Sequence, residues 1–403
     1  MRLQTILAVT VVTALTACSG TTNSIPAGTS TSPLASRSGG HPTAAQLGLW
    51  PRSGPAVRAC GMVSNGYARC LAWIRTDIKG MVRPDTPQGY GPSDLQTAYG
   101  LTSFSQSNGG GETVAIVDAF DDPNAASDLA TYRAQYGLPP CTTSSGCFTK
   151  YVLHNTGTNA GWAEEESLDV DMVSAICPNC KILLVEAKEN STGQLTKAEI
   201  YATAHANYVS NSWAGGECCK AKSPDFDVPG VAITAATGDD GHNTVAAWPA
   251  ILPTVIAVGG TTLTKTNPRT ESAWSGAGSG CSTKFAKPTF QTGINTGCAK
   301  RAQADVSADA NPNTGVAFYD TFDGAGGWGV VGGTSVATPI IASVFALAGN
   351  TSTNNPGNLY ANTASLNDVT SGSNGSCGAP LCTAGVGWDG PTGLGTPNGI
   401  GAF

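Results

Sequence analysis

The stretch Thr113-Val114-Ala115-Ile116-Val117-Asp118-Ala119 is an almost continuous apolar run with one carboxylate near its end. A strand of this kind is typical of a parallel sheet that is covered by helices on both faces. Similar runs and helical stretches alternate after it: the predicted strands are 181–186, 208–212, 231–236 and 255–258, and the predicted helices are 122–135, 163–176, 196–207 and 339–349. The sequence therefore predicts an α/β fold with a mostly parallel central sheet, whose site lies at the carboxyl ends of the strands.

The composition excludes several classes of protein. Apolar residues make up 40% of the 403 residues, which is enough for a sizeable core and excludes a disordered chain. The net charge is −7 and there is no basic run, which argues against nucleic acid as a partner. Only 12% of the residues are charged, so protonation of the carboxylates at low pH changes the charge repulsion within the protein only a little. This suits a protein that works outside the cell at low pH.

The N-terminus predicts export. The apolar run from Leu3 to Thr16 is shorter than the roughly 20 residues that span a bilayer, and it is typical of a secretory signal. It ends in Leu15-Thr16-Ala17-Cys18, which matches the bacterial lipobox, where the cysteine is lipidated. Ordinary cleavage after Ala17 is the alternative, although it favours a small residue in place of Leu15. We predict a signal peptide at 1–17 and an extracellular or cell-envelope protein that meets the membrane only through Cys18.

Three further segments follow the signal peptide. Residues 18–45 are dominated by Ser, Gly, Thr and Pro and are predicted to be a flexible tether. Residues 46–87 are interpreted as a short pro-segment or N-terminal extension. The main domain is predicted to occupy 88–403.

The cysteines predict disulfides. Without Cys18 twelve remain, an even number in an oxidising compartment. They form sequence-local pairs, namely Cys60/Cys70, Cys141/Cys147, Cys177/Cys180, Cys218/Cys219, Cys281/Cys298 and Cys377/Cys382. No second CxxC accompanies Cys177-x-x-Cys180, which favours a bridge over a zinc or redox site. The adjacent Cys218 and Cys219 form a vicinal bridge or pair elsewhere, and the sequence leaves this open.

The motif Gly332-Gly333-Thr334-Ser335-Val336-Ala337-Thr338-Pro339 opens the predicted apolar helix. A serine at a helix start lies among free backbone N–H groups at the positive end of the dipole. The glycines before it let a substrate carbonyl approach closely. A capping serine is the structural alternative, but the full motif before a buried helix favours a nucleophile beside an oxyanion site.

Carboxylates are better candidates for the base than histidines. In Gly161-Trp162-Ala163-Glu164-Glu165-Glu166-Ser167-Leu168-Asp169-Val170-Asp171, Glu165 and Asp169 are four residues apart and share a helix face. Two adjacent carboxylates share a proton, so the pair can accept one from serine in acid, where histidine is already protonated. Glu166 with Asp169 is the i,i+3 alternative. The non-catalytic alternative is that these carboxylates only stabilise the N-terminus of the helix through its dipole.

A third carboxylate follows the predicted strand 231–236. In Gly238-Asp239-Asp240-Gly241 the first aspartate stands where the strand ends. A protonated Asp239 can donate a hydrogen bond to an oxyanion. The alternative is an ordinary turn, for which these residues are equally typical.

Together these residues resemble the sedolisin, or serine-carboxyl peptidase, family over about residues 88–403. Glu165 and Asp169 match the Glu-x-x-x-Asp motif of the family, and Asp239 matches the aspartate of its GD-x-G turn. Ser335 matches the serine nucleophile of its SGTS motif, with Gly in place of the first Ser. The stretches 209–213, 259–263 and 305–309 match as well. The resemblance implies a subtilisin-like fold and endopeptidase action on proteins and peptides at acid pH. It implies that Ser335 attacks, Glu165 is the general base, Asp169 orients it and Asp239 holds the oxyanion. We expect a monomer.

The C-terminal segment predicts one structural Ca²⁺. Asp368 and Asp389 stand in glycine-rich loops, where carboxylates and backbone carbonyls supply the hard oxygen ligands of this ion. Aspartates that cap turns are the alternative. The resemblance implies that the ligands are the carboxylates of Asp368 and Asp389 and the carbonyls of Val369, Gly385 and Gly387.

Two other functions remain alternatives. A His-dependent subtilisin-type protease would use Asp118, either His154 or His205, and Ser335. A non-catalytic envelope protein would keep the fold for binding alone. The resemblance also leaves activation open, because the family usually carries a pro-domain much longer than residues 18–87. The chain either matures with a minimal pro-segment or stays intact on its anchor.

Overall fold

The computed structural model describes residues 54–78, 87–154, 156–243, 246–352 and 355–403. The predicted signal peptide, lipobox cysteine and tether lie outside these residues. No helix in the described ranges has both the length and the apolar character needed to cross a bilayer.

The strands range from two to eleven residues in length. They are β1 Ala56–Arg58, β2 Arg69–Cys70, β3 Trp73–Arg75, β4 Thr113–Ala119, β5 Phe148–Val152, β6 Lys181–Ala187, β7 Tyr208–Asn211, β8 Trp213–Gly216, β9 Ala232–Ala236, β10 Ala247–Trp248, β11 Ile256–Thr266, β12 Arg269–Ala273, β13 Gly280–Cys281, β14 Ala302–Gln303, β15 Val306–Asp309, β16 Val316–Asp320, β17 Gly327–Gly332, β18 Leu366–Asn367 and β19 Thr396–Pro397. The helices are α1 Pro92–Ala98, α2 Thr102–Ser107, α3 Ala125–Gln135, α4 Ala160–Ile176, α5 Thr192–His205, α6 Thr334–Ala348 and α7 Pro356–Ala361.

The central sheet has the order β12-β11-β9-β7-β4-β6-β5, and β15 also pairs with β11. All of these pairings are parallel except that of β12 with β11. Side chains of β4 alternate between two cores. Val114 and Ile116 pack on the side of α4 and α6, whereas Ala115 and Val117 pack on the side of α5. The predicted α/β fold, mostly parallel and with helices on both faces, is confirmed.

Several predicted boundaries differ from the structure. Helix α3 begins at Ala125 rather than 122, because the Asp122 carboxylate accepts a hydrogen bond from the Asn124 amide in a turn. Helix α5 occupies Thr192–His205 rather than 196–207. Strand β11 continues to Thr266, well beyond 258, because its second half pairs with β12 in a hairpin. Tertiary pairing, which local patterns do not report, extends that strand.

Of the predicted pro-segment or N-terminal extension, 46–87, the structure describes residues 54–78 and Pro87. Strands β1 and β3 join β17 and β16 in one four-stranded sheet, and β2 joins β8 and β10 in another. Backbone pairing therefore integrates residues 54–78 with the main domain.

Six disulfides brace the described part of the chain, and they are the sequence-local pairs. Cys218 and Cys219, whose partners the sequence left open, form a vicinal bridge.

Candidate active site

Ser335 lies in the first turn of α6. Gly333, just before the helix, has a φ of 105°, a left-handed conformation that favours glycine. The Ser335 side chain is fully buried, and its hydroxyl donates a hydrogen bond of 3.1 Å to the backbone carbonyl of Ser212. The helix N-terminus, with its free amides, thus lies directly beside a buried hydroxyl.

Glu165 and Asp169 lie one turn apart on α4, and both are fully buried. Glu165 Oε2 accepts a hydrogen bond of 2.9 Å from the Leu71 amide. The Ser212 hydroxyl lies 2.8 and 2.7 Å from the two carboxylate oxygens of Asp169. Ser212 therefore contacts the nucleophile candidate through its carbonyl and the carboxylate pair through its hydroxyl.

The environment of the pair strongly favours its protonated forms. Burial, and secondarily the charge of Asp169, raises the pKa of Glu165 well above its usual range, whereas the Ser335 hydroxyl lowers it. Burial likewise raises the pKa of Asp169, and the hydrogen bond from Ser212 opposes this. Burial and mutual repulsion therefore favour states in which at least one of the two carboxyl groups is protonated.

Asp239 follows β9 and faces the start of α6. Its Oδ1 accepts hydrogen bonds of 2.8 Å from both the amide and the hydroxyl of Thr334. Its Oδ2 has no hydrogen-bond partner among the described residues, although the side chain is buried. Burial raises the pKa of Asp239 to about 7, against the opposing effects of Thr334, Arg58 and Arg69. At acid pH Asp239 is therefore a neutral donor with one free oxygen beside Ser335.

The predicted quartet is thus brought together at the carboxyl ends of the strands. The competing Glu166 lies in a different environment: burial and the charges of Glu186 and Asp118 raise its pKa. This favours Glu165 over Glu166 as the partner of Ser335.

Asp118, which the alternative triad would use, lies at the end of β4 near the Glu165–Asp169 pair. In the structure Asp118 is fully buried and neither carboxylate oxygen has a hydrogen-bond partner in the described ranges. Burial and the charges of Asp169 and Glu165 raise its pKa. It therefore belongs to the electrostatic surroundings of the pair. Its place at the end of a buried parallel strand is the signal that could have revealed this.

The histidines considered for the alternative triad lie elsewhere. His154 and His205 are both exposed, whereas Ser335 is buried. The His205 ring pairs with the carbonyl of Tyr201 on its own helix, at 2.7 Å. His242 lies 3.1 Å from the Ser279 hydroxyl. His41 is outside the described residues. Within the described ranges, no histidine is hydrogen bonded to Ser335.

The two aspartates of the predicted metal site converge on one glycine-rich loop. Asp368 Oδ2 accepts a hydrogen bond of 2.9 Å from the Gly387 amide, and Asp389 Oδ2 accepts one of 3.1 Å from the Gly385 amide. Burial, together with the charge of Asp368, raises the pKa of Asp389 to about 6. Val369 is buried beside Asp368. The predicted ligand residues are therefore neighbours, and two carboxylates that repel each other form a donor set that suits a hard cation.

Another cluster is excluded as a metal site. His242, Cys377 and Cys382 lie within ligand distance of one another, but the two cysteines are joined in a disulfide.

A mostly parallel sheet with a serine at the start of its central buried helix, and a carboxylate pair in place of a histidine, defines a serine-carboxyl site on a subtilisin-like fold. The model of the subtilase family of peptidases matches residues 153–378. The chain belongs to the subtilase family and is a sedolisin-like member of it.

The relatives and solved structures agree with this assignment. Kumamolisin of Bacillus sp. (strain MN-32) is 30% identical over 78% of this chain and 63% of its own length. Sedolisin of Pseudomonas sp. (strain 101) is 31% identical over 60% of this chain and 42% of its own length. The chain thus spans less than two thirds of either relative. Pseudomonas sedolisin, a serine-carboxyl proteinase solved with pseudo-iodotyrostatin, has the same fold, with a TM-score of 0.67, 24% identity, and coverage of 78% of this chain and 96% of that one.

Proposed function

We propose that this protein is a serine-carboxyl endopeptidase that cleaves protein and peptide substrates at acid pH through an acyl-enzyme on Ser335. The observation that carries the proposal is the buried contact set of Ser212, which joins Ser335 to the Glu165–Asp169 pair. The relatives named above support a peptidase of this class.

The geometry suggests a role for each residue. Ser335 Oγ attacks the substrate carbonyl carbon, and Glu165 accepts the hydroxyl proton. Asp169 tunes and orients Glu165. Neutral Asp239, through its free Oδ2, donates to the oxyanion together with amides at the start of α6. Glu165 then delivers its proton to the leaving amine, and water hydrolyses the ester by the reverse sequence of proton transfers.

An acid optimum follows from the carboxyl groups. The pair needs one ionised carboxylate to act as a base, and Asp239 needs its proton to act as a donor. Since the pKa of Asp239 is about 7, the donor is present below neutral pH and is lost above it. A histidine base would require the opposite pH range.

The C-terminal loop is proposed to bind one Ca²⁺. The Asp368 and Asp389 carboxylates, with the carbonyls of Val369, Gly385 and Gly387, would hold it. Neither carboxylate makes an ion pair within the described ranges, so a cation would relieve their mutual repulsion. The ion would supply structural cross-linking of the loop rather than chemistry.

Export, lipidation of Cys18 and a monomeric state remain proposals. Export and lipidation rest on the N-terminal sequence, and the disulfides suit the oxidising compartment that export implies. A non-catalytic envelope protein is disfavoured because the whole quartet is present and buried together.

A pH–rate profile tests the function. Release of fragments from a denatured protein would be followed from about pH 2.5 to 8 after overnight incubation at each pH, with Ser335→Ala as the control. An acid optimum that the control lacks supports the mechanism. A neutral optimum would assign the base to histidine, and absence of proteolysis in the wild type at every pH would favour the binding protein.

A further inference from the structure

Helix α5 carries a buried carboxyl group that no step of the proposed mechanism uses. Glu199 lies in the middle of this helix and is fully buried. Neither of its carboxylate oxygens has a hydrogen-bond partner in the described ranges. A buried carboxylate without partners is costly, so the groups around Glu199 need an explanation.

The side chain that faces Glu199 is Asn211, the last residue of β7. Side chains alternate along this strand, and Val209, two residues earlier, packs in the core on the α5 side of the sheet. Asn211 Nδ2 donates a hydrogen bond of 3.3 Å to the Thr234 carbonyl of β9. Its Oδ1 is buried and has no partner in the described part of the chain. The Asn211 amide is within hydrogen-bond reach of the Glu199 carboxyl group.

A neutral Glu199 satisfies all of these atoms at once. Its O–H donates to Asn211 Oδ1, and its other oxygen accepts the second hydrogen of Nδ2, so that an acid and an amide share two hydrogen bonds. An ionised Glu199 would leave two acceptors facing each other with no proton between them. Burial raises the pKa of Glu199 to about 8, and no charged side chain in the described ranges contributes to this shift. The neutral pair therefore persists throughout the acid range.

The acid–amide pair lies where β7 leaves the central sheet. The parallel pairing of β7 with β9 ends at Asn211 and Ala235. The next residue is Ser212, whose carbonyl accepts a hydrogen bond from Ser335 and whose hydroxyl contacts Asp169. The side-chain hydrogen bonds of Asn211, to α5 and to β9, thus fix the strand end from which Ser212 projects.

We propose that Glu199 is a positioning residue for the reaction. Its neutral pair with Asn211 fixes the backbone at Ser212, and hence the contacts of Ser212 with the nucleophile and the carboxylate pair. The inference rests on the proposed function, because the position of Ser212 affects turnover only if those groups are catalytic. Glu199 makes no hydrogen bond to the reacting groups in the described ranges and acts from the opposite face of the sheet.

Three variants of the full chain separate this role from a role in stability alone. Glu199→Gln keeps a neutral donor and acceptor of the same shape, so an amide–amide pair with Asn211 replaces the acid–amide pair. Glu199→Met has a similar length but no strong donor or acceptor, and it leaves Asn211 Oδ1 unpaired. Thr196→Val is the matched control on the same helix. It removes a buried hydroxyl whose hydrogen bond of 2.6 Å, to the Thr192 carbonyl, stays within α5.

The values of kcat and KM would be measured across the pH range for each folded variant, with an internally quenched peptide that the wild type cleaves. Glu199→Met should lower kcat about tenfold or more with a smaller change in KM, because a displaced Ser212 misplaces the reacting groups. Its loss of activity on the acid side should begin at higher pH, because Asp169 loses the hydrogen bond that lowers its pKa. Glu199→Gln should restore both properties, and Thr196→Val should retain both.

Two results would overturn the inference and keep the proposed function. One is a Glu199→Met protein with the kcat and the acid-side profile of Thr196→Val. The other is a loss in Glu199→Gln as large as that in Glu199→Met, because a neutral donor would then not be what the site requires. Absence of proteolysis in the wild type at every pH would overturn both the inference and the proposed function.

A double variant keeps the test decisive if Glu199→Met fails to fold. Glu199→Met/Asn211→Leu replaces both partners by apolar groups and leaves no buried group of the pair unpaired, so it is expected to fold. It should show the same lowered kcat and the same shift on the acid side, because the strand end is no longer fixed. Wild-type values of both in this folded protein would overturn the positioning role.

Discussion

The hydroxyl of Ser212 lies 2.8 and 2.7 Å from the two carboxylate oxygens of Asp169, while its carbonyl accepts the hydrogen bond of Ser335. One residue, directly after β7, thus contacts both the proposed nucleophile and the carboxylate pair. Since the hydroxyl donates to Asp169, it lowers the pKa of that group against the effect of burial. The proposed base therefore depends on a side chain to which the proposed mechanism assigns no chemical step.

Ser212→Ala should shift the acid limb of the pH–rate profile to higher pH. Without the hydrogen bond the pKa of Asp169 rises, so the pair takes its second proton sooner as the pH falls. The profile of kcat/KM would be measured for this variant and for Ser210→Ala, which removes a buried hydroxyl with no partner in the described ranges. Equal acid limbs in the two variants would contradict the tuning role.

Glu165→Gln should lower kcat by about 10²–10⁴-fold, because the amide cannot accept the serine proton. Ser335→Ala should abolish turnover, and both variants should keep the fold, as checked by circular dichroism. Glu166→Gln is the matched control, since Glu166 interacts with Glu186 and Asp118 instead. A larger loss in Glu166→Gln than in Glu165→Gln would show that the base is assigned to the wrong position.

These residues illustrate what the sequence could predict. The quartet follows from motifs in which spacing along one helix, or position after one strand, fixes the geometry. Glu165 and Asp169 meet because a helix turn brings i and i+4 together. Asp239 follows the parallel strand β9, at the sheet edge where folds of this type place their sites. Ser335 follows β17 of a separate sheet, so its contact with this edge depends on tertiary packing. The central strands were also predictable from local sequence. A strand that is buried on both faces needs apolar residues at successive positions, and this appears in the sequence as a continuous apolar run.

The backbone pairing of residues 54–78 with the main domain could not be predicted in this way. Strands β2 and β3 have two and three residues, too few to show any periodicity. Their position is set by backbone pairing with β8 and β17, which are distant in sequence and carry no pattern that names Arg69 or Trp73 as partners. The same holds for Asp118, whose role depends on a helix that packs over its strand.

The fall in activity on the basic side of the pH–rate profile should reflect the ionisation of Asp239. As the pH rises through about 7 this carboxyl loses its proton, can no longer donate, and repels the oxyanion. Asp239→Asn keeps a neutral donor, so the fall near pH 7 should disappear. Asp239→Ala should lose about 10²–10³-fold in kcat at all pH values. The pH–rate profiles of the wild type, Asp239→Asn and Asp239→Ala would be compared. If activity of Asp239→Asn still falls near pH 7, the ionisation that causes the fall belongs to the Glu165–Asp169 pair and not to Asp239.

The fold itself should be more stable in acid. Burial raises the pKa of Glu199 to about 8, against an opposing effect of Asn211. The folded state thus binds a proton that the unfolded state releases above its ordinary pKa of about 4.3. Its stabilising effect is complete below that value and is lost as the pH rises through about 8. Glu199→Gln should therefore weaken the pH dependence of unfolding free energy by up to about 1.4 kcal/mol per pH unit between pH 5 and 8.

Urea unfolding at several pH values measures that slope. Equal slopes in the wild type and Glu199→Gln would show that the proton bound by the folded state is not on Glu199. Glu189→Gln, on the loop before α5 and only partly buried, is the matched control and should leave the slope unchanged.

Removal of calcium should lower the melting temperature of the wild type. An ion that binds only the folded loop stabilises it by about 2.7 kcal/mol when its free concentration is 100 times Kd. The measurement belongs near pH 7, above the pKa of about 6 that Asp389 has in the metal-free chain, so that both carboxylates are ionised. Asp389→Asn should melt at the same temperature with calcium as with chelator, whereas Asp225→Asn, a change at a partly buried position outside the loop, should respond as the wild type does. An unchanged melting temperature of the wild type in chelator would show that Asp368 and Asp389 serve only to order the loop through the amides of Gly387 and Gly385.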